Sequence, residues 1–283
     1  MLLRSNAESR QALKGSHWRQ RKGYEIMLKN KVIVVTGASS GIGALIAQRL
    51  SDEGAVVILA GRSMERLREA GSRLKGPYEL AVMDVQDPQQ VDSVLKEACR
   101  KHGRIDVLVN NAGYGKFEAF LDMPADEFED MMDVNYMGIV RCTQAVLPGM
   151  LERGEGQIVN IASMAGKIGT AKSTAYSATK HAVLGLSNAL RQELRHTGIT
   201  VSTVNPGPID TPFFSLADPS GGYVKNVGWL MMKPQYVADQ VVKLIIKRKE
   251  ELNLPRLAAV GIRLYQLFPR FADRVSHRWM NQK

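Results

Sequence analysis

The stretch STAYSATKHAV, residues 173–183, sets Tyr176 and Lys180 four positions apart among small, hydroxyl and apolar side chains. On a helix, positions i and i+4 share a face, so the ammonium lies beside the phenol and favours its ionised form. A tyrosine acidified in this way can exchange a proton with an oxygen of a bound substrate. The same spacing also arises by accident on a solvated helix. The pair therefore gains meaning only from what the rest of the chain supplies.

A second chemical feature is TGASSGIG, Thr36–Gly43, which follows an apolar run and opens an amphipathic one. Gly37, Gly41 and Gly43 let the backbone turn tightly and come close to a pyrophosphate, which the first N–H groups of the following helix attract. A tight turn that binds nothing has the same composition. The second apolar run ends Leu59, Ala60, Gly61, Arg62, with no acid to accept from a ribose 2′-OH and an arginine to meet a 2′-phosphate. This favours NADP over NAD, although Arg62 also suits a solvated helix start. Asp84 closes the third run, where it can accept from an adenine amino group or cap the next helix. Asn110, Asn111, Ala112 and Gly113 close the fourth run and permit close contact between backbone and ribose. Asn135 is polar within an apolar period and fits either a bond to its i−4 carbonyl or a hold on a water.

These residues need a frame to position them. Residues 31–36, 55–60, 78–84, 105–111, 156–163 and 199–205 are short Val- and Ile-rich runs that read as buried strands. Between them, 42–53, 63–74, 88–102, 125–153 and 174–197 read as helices. Strict alternation predicts an α/β fold, a single doubly wound, Rossmann-like parallel sheet with helices on both faces. Ligands of such sheets sit beyond the carboxyl ends of the strands.

With TGASSGIG, NNAG, Asn135, Ser163 and YSATK in chain order, the sequence resembles the short-chain dehydrogenase/reductase family, densely over residues 31–211. Ser163 precedes Tyr176 by thirteen residues, as is usual there. The resemblance implies that Gly37, Ser39, Gly41, Ile42 and Gly43 cradle the pyrophosphate and that Asp84 and Asn111 contact adenosine. It implies a catalytic tetrad of Asn135, Ser163, Tyr176 and Lys180, with Lys180 also on the ribose. Pro206, Gly207, Ile209 and Thr211, from NPGPIDT, would border the nicotinamide carboxamide. The implied activity is NADP(H)-dependent interconversion of an alcohol and a ketone or aldehyde, with Tyr176 as general acid/base. The chain lacks the second basic residue in the glycine turn and the Val-Asn/Asp-Gly-Gly ending of bacterial ketoacyl-carrier-protein reductases. Its long tail instead resembles the hydroxysteroid-dehydrogenase-like and lipid-associated branches. Two rivals share part of the pattern: a sugar-nucleotide epimerase or dehydratase, and a non-enzymatic nucleotide sensor.

The formal net charge of +10 sits at the ends. Residues 1–26 carry six Lys/Arg against two acids and residues 247–283 nine against three, leaving 23 of each between them. A neutral body argues against a nucleic-acid face. Cys99 and Cys142 and five scattered histidines show no metal-ligand spacing, so no metal is expected, and the cysteine usage suits a reducing, cytoplasmic setting. Residues 1–26 read as a basic extension without order, with Met27 as a start, and 27–254 as the dinucleotide-binding catalytic domain. Residues 255–283 form a basic amphipathic tail. Leu257, Val260, Leu264, Leu267, Phe268 and Phe271 share one helical stripe edged by Arg256, Arg263, Arg270 and Arg274. That stripe fits the protein's own core, a second subunit of a homo-oligomer, or a peripheral contact with a membrane surface. Residues 212–232, small, Gly-rich and apolar, suit a lid over a fairly apolar small-molecule substrate, or a subunit contact.

Overall fold

Alternate residues of the first strand enter opposite apolar layers: Ile33 and Val35 join one buried cluster, Val32 and Val34 the other. This two-sided burial is why the strands read as continuous apolar runs rather than as alternating ones. The computed structural model describes residues 28–219 and 221–267. The extension 1–26, Met27, and the tail residues Phe268, Arg270, Phe271 and Arg274 lie outside the described residues.

Among the described residues seven strands are formed: Val32–Thr36 (β1), Val56–Gly61 (β2), Tyr78–Val82 (β3), Val107–Asn110 (β4), Gly156–Ile161 (β5), Ile199–Pro206 (β6) and Glu251–Leu254 (β7). They pair in parallel in the order β3-β2-β1-β4-β5-β6-β7. The order reverses between β1 and β4, where Val35 pairs with Leu59 on one side and Val109 on the other. A crevice opens at that reversal, beyond the carboxyl ends of the strands.

Helices Gly41–Asp52 (α1) and Met64–Gly71 (α2) cover one face, and Pro88–His102 (α3) the other. Ile46, Leu50 and Leu67 belong to the first apolar layer, and Val91 and Leu95 to the second. The expected single helix over 125–153 is three pieces: Ala125–Met132 (α4), a π-helical turn Asp133–Met137, and Gly138–Arg153 (α5). Thr174–Glu193 (α6) follows, then the short helices Phe213–Ala217 (α7) and Gly222–Val227 (α8). Pro234–Ile246 (α9) and Arg256–Leu267 (α10) complete the set. The six expected strands match to within two residues at each end. β7 and α9 were not expected, and α9 seals the first layer with Val237, Val241 and Ile245.

The segment between β6 and α9 is an excursion closed at its base. Ile209 bridges Met232, and Met232 donates its N–H to Pro208 at 2.9 Å while accepting from Asp210 at 3.0 Å. In α10, Leu257 and Leu267 are 87% and 69% exposed, so these two members of the apolar stripe do not pack into the chain's own core. No helix among the described residues is long and apolar enough to cross a membrane.

Candidate active site

Tyr176 stands in the first turn of α6, and Lys180 one turn later. Lys180 is 6% exposed and donates from Nζ to the carbonyl of Ile161, the last residue of β5, at 2.9 Å. The loop leaving β5 then delivers Ser163, whose Oγ accepts from the Ala165 N–H at 3.1 Å and caps a short 3-10 turn, Met164–Gly166. Ser163 also donates to the Pro206 carbonyl at 3.4 Å. Anchoring to the ends of two central strands fixes the hydroxyl beside the phenol.

Asn135 is wholly buried in the π turn. It donates from Nδ2 to the Tyr114 carbonyl (2.8 Å) and to Thr179 Oγ1 (3.1 Å), and its Oδ1 accepts from the Tyr114 N–H (2.9 Å). Thr179 Oγ1 in turn donates to the Tyr176 carbonyl at 2.9 Å. Asn135 thus locks the loop after β4 to the helix carrying Tyr176 and Lys180. It makes no side-chain bond to its i−4 carbonyl. A π turn widens the helix by one residue and is common at functional sites, and here it places the amide level with the loop.

The electrostatics correct one expectation. Burial pushes the Tyr176 phenol up to about 12, and the hydrogen bond with Ser163 draws it back only in part. The ammonium four residues on does not acidify it in the protein alone. Lys180 Nζ lies 5.7 Å from the ring centroid and turns its bond toward Ile161. Burial lowers Lys180 itself to about 8. Near neutral pH the pair is therefore a protonated phenol beside an ammonium close to its titration point.

The glycine turn lies across the reversal of strand order. Gly37 and Gly41 have φ of +62° and +56°, the left-handed region that favours glycine. A Cβ at Gly43 would stand 2.4 Å from both Asn111 Nδ2 and the Gly37 carbonyl oxygen, so only glycine lets α1 approach this closely. Gly41 faces open space, with nothing within 4 Å of where a Cβ would be. Ser40 makes no side-chain cap to the first N–H groups of α1, which have no partner within the helix. Open room, positive φ and uncapped donors fit a pyrophosphate. Ser39 packs at the end of β2 beside Gly61.

Thr36, overlooked in the sequence, braces this turn. Its Oγ1 accepts from the N–H groups of Asn111 and Ala112, both at 3.0 Å, while Asn111 Nδ2 donates to the carbonyls of Thr36 (3.0 Å) and Gly37 (3.1 Å). The Asn111 amide nitrogen is spent on holding the turn. Arg62 is exposed directly after β2, and its charge reaches Tyr114 and Asp130, which are hydrogen-bonded to each other. Asp84 lies two residues beyond β3 and accepts from the Gln86 N–H at 3.1 Å. The cap of α3 is Asp87, not Asp84, with bonds from the Gln89 and Gln90 N–H groups at 2.9 and 3.0 Å. Pro206 ends β6, and Gly207 donates to Leu254 at 2.7 Å. Ile209 is buried at the bridge to Met232, and Thr211 Oγ1 donates to the Ile209 carbonyl at 3.4 Å.

The fold has counterparts among known proteins. The family description "short chain dehydrogenase" matches residues 31–219. An uncharacterized oxidoreductase of Staphylococcus saprophyticus is 42% identical over 191 residues, which are 66% of this chain and 82% of that protein. A short-chain dehydrogenase from Streptomyces avermitilis superposes with a TM-score of 0.77 at 31% identity, covering 88% of this chain and 96% of that one. A variant actinorhodin polyketide ketoreductase, solved with NADPH, gives 0.73 at 35%, covering 80% and 95%. The chain belongs to the short-chain dehydrogenase family and is an oxidoreductase of that family.

Proposed function

We propose that this oxidoreductase interconverts an alcohol and a ketone or aldehyde with NADP(H), with Tyr176 as the general acid/base. The observation that carries the reading is the convergence of Ser163, Tyr176 and Lys180, braced by Asn135, beyond the carboxyl ends of the strands, where the glycine turn also lies. A nicotinamide dinucleotide bound there would supply the hydride. Gly37, Ser39, Gly41, Ile42 and Gly43 would hold its pyrophosphate, Arg62 its 2′-phosphate, Asp84 and Asn111 the adenosine, and Lys180 the nicotinamide ribose. Pro206, Gly207, Ile209 and Thr211 would border the carboxamide.

The chain's own groups then handle the oxygen. With the phenol at about 12, Tyr176 is protonated at neutral pH and poised to donate to an alkoxide, which suits the reductive direction. Ser163 would hold the same oxygen as charge develops on it. Lys180 keeps positive charge close by, tethered to Ile161. Asn135, with its amide committed to Tyr114 and Thr179, would fix the loop and helix in register and border a water path for re-protonation. The excursion after Thr211 would act as a lid; it is too short for the separate substrate domain of a sugar-nucleotide epimerase. Carbonyl-dependent oxidation of NADPH against a panel of ketones tests the reading, with mass spectrometry of co-purified ligands to choose the panel. No oxidation of either NADPH or NADH with any carbonyl would favour the nucleotide-sensor alternative.

The exposed Leu257 and Leu267 of α10, in a basic segment, support a peripheral contact with an anionic membrane surface. Full-length protein is then expected to co-sediment with phosphatidylserine vesicles at low salt. Retention in the supernatant as a stable dimer would assign the stripe to a second subunit instead.

A further inference from the structure

Five aromatic rings from three distant segments, Tyr176 among them, form one cluster. Phe117, in the loop after β4, lies 6.0 Å edge-on from the Tyr176 ring and 4.9 Å edge-on from Tyr223 of α8. Phe213, the first residue of α7, lies 5.6 Å from Tyr176 and 5.3 Å from Phe214, and Phe214 lies 5.5 Å from Tyr223. The lid is stitched to the Phe117 loop by the Phe117 N–H, which donates to the Ala217 carbonyl at 2.8 Å. Beneath the rings Gly115 leaves room: a Cβ there would stand 2.8 Å from the tip of Phe213 and 3.0 Å from the Tyr176 ring.

These rings differ from core aromatics. Phe117, Phe213, Phe214 and Tyr223 each keep part of their surface accessible. They surround the proposed proton donor rather than filling either apolar layer of the sheet. Two of the nearby charges are engaged within the protein: Lys116 pairs with Glu118 and Glu127 at 2.9 and 2.7 Å, and Asp218 accepts from the Val224 N–H at 3.1 Å. The lid also exposes Leu216 and Trp229, at 70% and 75%, so the approach is apolar too. The second hydroxyl in the cluster, on Tyr223, is neutral near pH 7, because burial pushes its phenol up to about 12.

We propose that the substrate is an uncharged carbonyl compound, or its alcohol, bearing a flat ring beside the reacting carbon, and that Phe117, Phe213, Phe214 and Tyr223 select it by ring contact. The proposal rests on Tyr176 being the proton donor. Rings gain most from other rings in edge-to-face or offset contact, a gain that a flexible chain of equal carbon number does not collect. Aromatic contacts of this kind are worth a factor of about two to ten each.

The experiment compares 1-tetralone with 2-decanone, which have the same number of carbons. Calorimetric titration into protein saturated with NADP+ reads binding, and ketone-dependent NADPH oxidation reads turnover. 1-Tetralone is expected to bind and to be used about tenfold better. Phe117→Leu and Tyr223→Leu should each reduce that preference to about twofold, whereas Tyr223→Phe should retain it. Circular dichroism and NADP+ binding check that each variant is folded. Equal binding of the two ketones, binding of neither, or a preference that survives both leucine variants overturns the proposal. A ring preference in binding with no NADPH oxidation would keep the ring site and remove the reductase reading. Oxidation of NADPH with equal use of both ketones would do the reverse.

Discussion

The Lys180 ammonium donates to the carbonyl of Ile161 at 2.9 Å, and so ties the helix carrying Tyr176 to the end of the strand that delivers Ser163. The tether holds a charge in a buried place, and burial lowers its pKa from 10.5 to about 8. The unfolded chain therefore binds more protons than the folded one between those values, and stability rises with pH across that window. The difference corresponds to roughly 3 kcal/mol, present in full above the unfolded pKa and lost as pH falls through about 8. Urea unfolding of the wild type and of Lys180→Met, each at pH 7 and pH 10, checks this. The wild type is expected to gain on the variant at the higher pH. A constant difference would mean that Lys180 titrates as an ordinary surface lysine.

Arg62 follows β2 directly and is exposed, where a 2′-phosphate would lie. Arg62→Ala is expected to weaken NADPH binding by about 1–3 kcal/mol, the scale of a lost charge-assisted bond, with little change for NADH. Fluorescence titration with both cofactors reads it. Equal losses for the two would make Arg62 a structural residue and remove the basis for preferring NADP.

Asn135 satisfies both backbone groups of Tyr114 from a fully buried position. Asn135→Ala leaves that N–H and carbonyl without their partner, which costs about 2–4 kcal/mol in all. Because Thr179 loses its tie as well, turnover should fall together with stability. Thermal unfolding and kcat measured on one preparation test this. A variant of wild-type stability would show that the loop after β4 holds its place without the amide.

Much of the frame was legible because both sides of the sheet are apolar. Val32–Thr36, Val56–Gly61 and Gly156–Ile161 could bury alternate residues in opposite layers only as central strands. β7, with the sequence ELNL, carries no β-branched residue and lies at the sheet edge, so it offered no strand signal. α9 had one: Val237, Ala238, Val241, Val242 and Ile245 recur at helical spacing, and all are buried. In the site, the types and spacing of Ser163, Tyr176 and Lys180 were readable. The break at Asn135 was not, because the π turn depends on bonds to Tyr114 and Thr179, 21 and 44 residues away. The rise of the Tyr176 phenol to about 12 was equally hidden, since spacing reports a neighbouring charge but not burial. Thr36 looked like the end of a strand. Its hydroxyl, accepting from two backbone N–H groups of the loop after β4, became visible only once β1 and β4 were side by side.

The most direct test of the account is the turnover of Tyr176→Phe measured beside its affinity for NADPH. The substitution removes one hydroxyl and keeps the ring contacts with Phe117 and Phe213. Ketone reduction is predicted to fall by at least roughly 10²-fold while the NADPH dissociation constant stays near the wild-type value, because only the proton donor is lost. Near-normal turnover by the phenylalanine variant would contradict the assignment of Tyr176 as the acid.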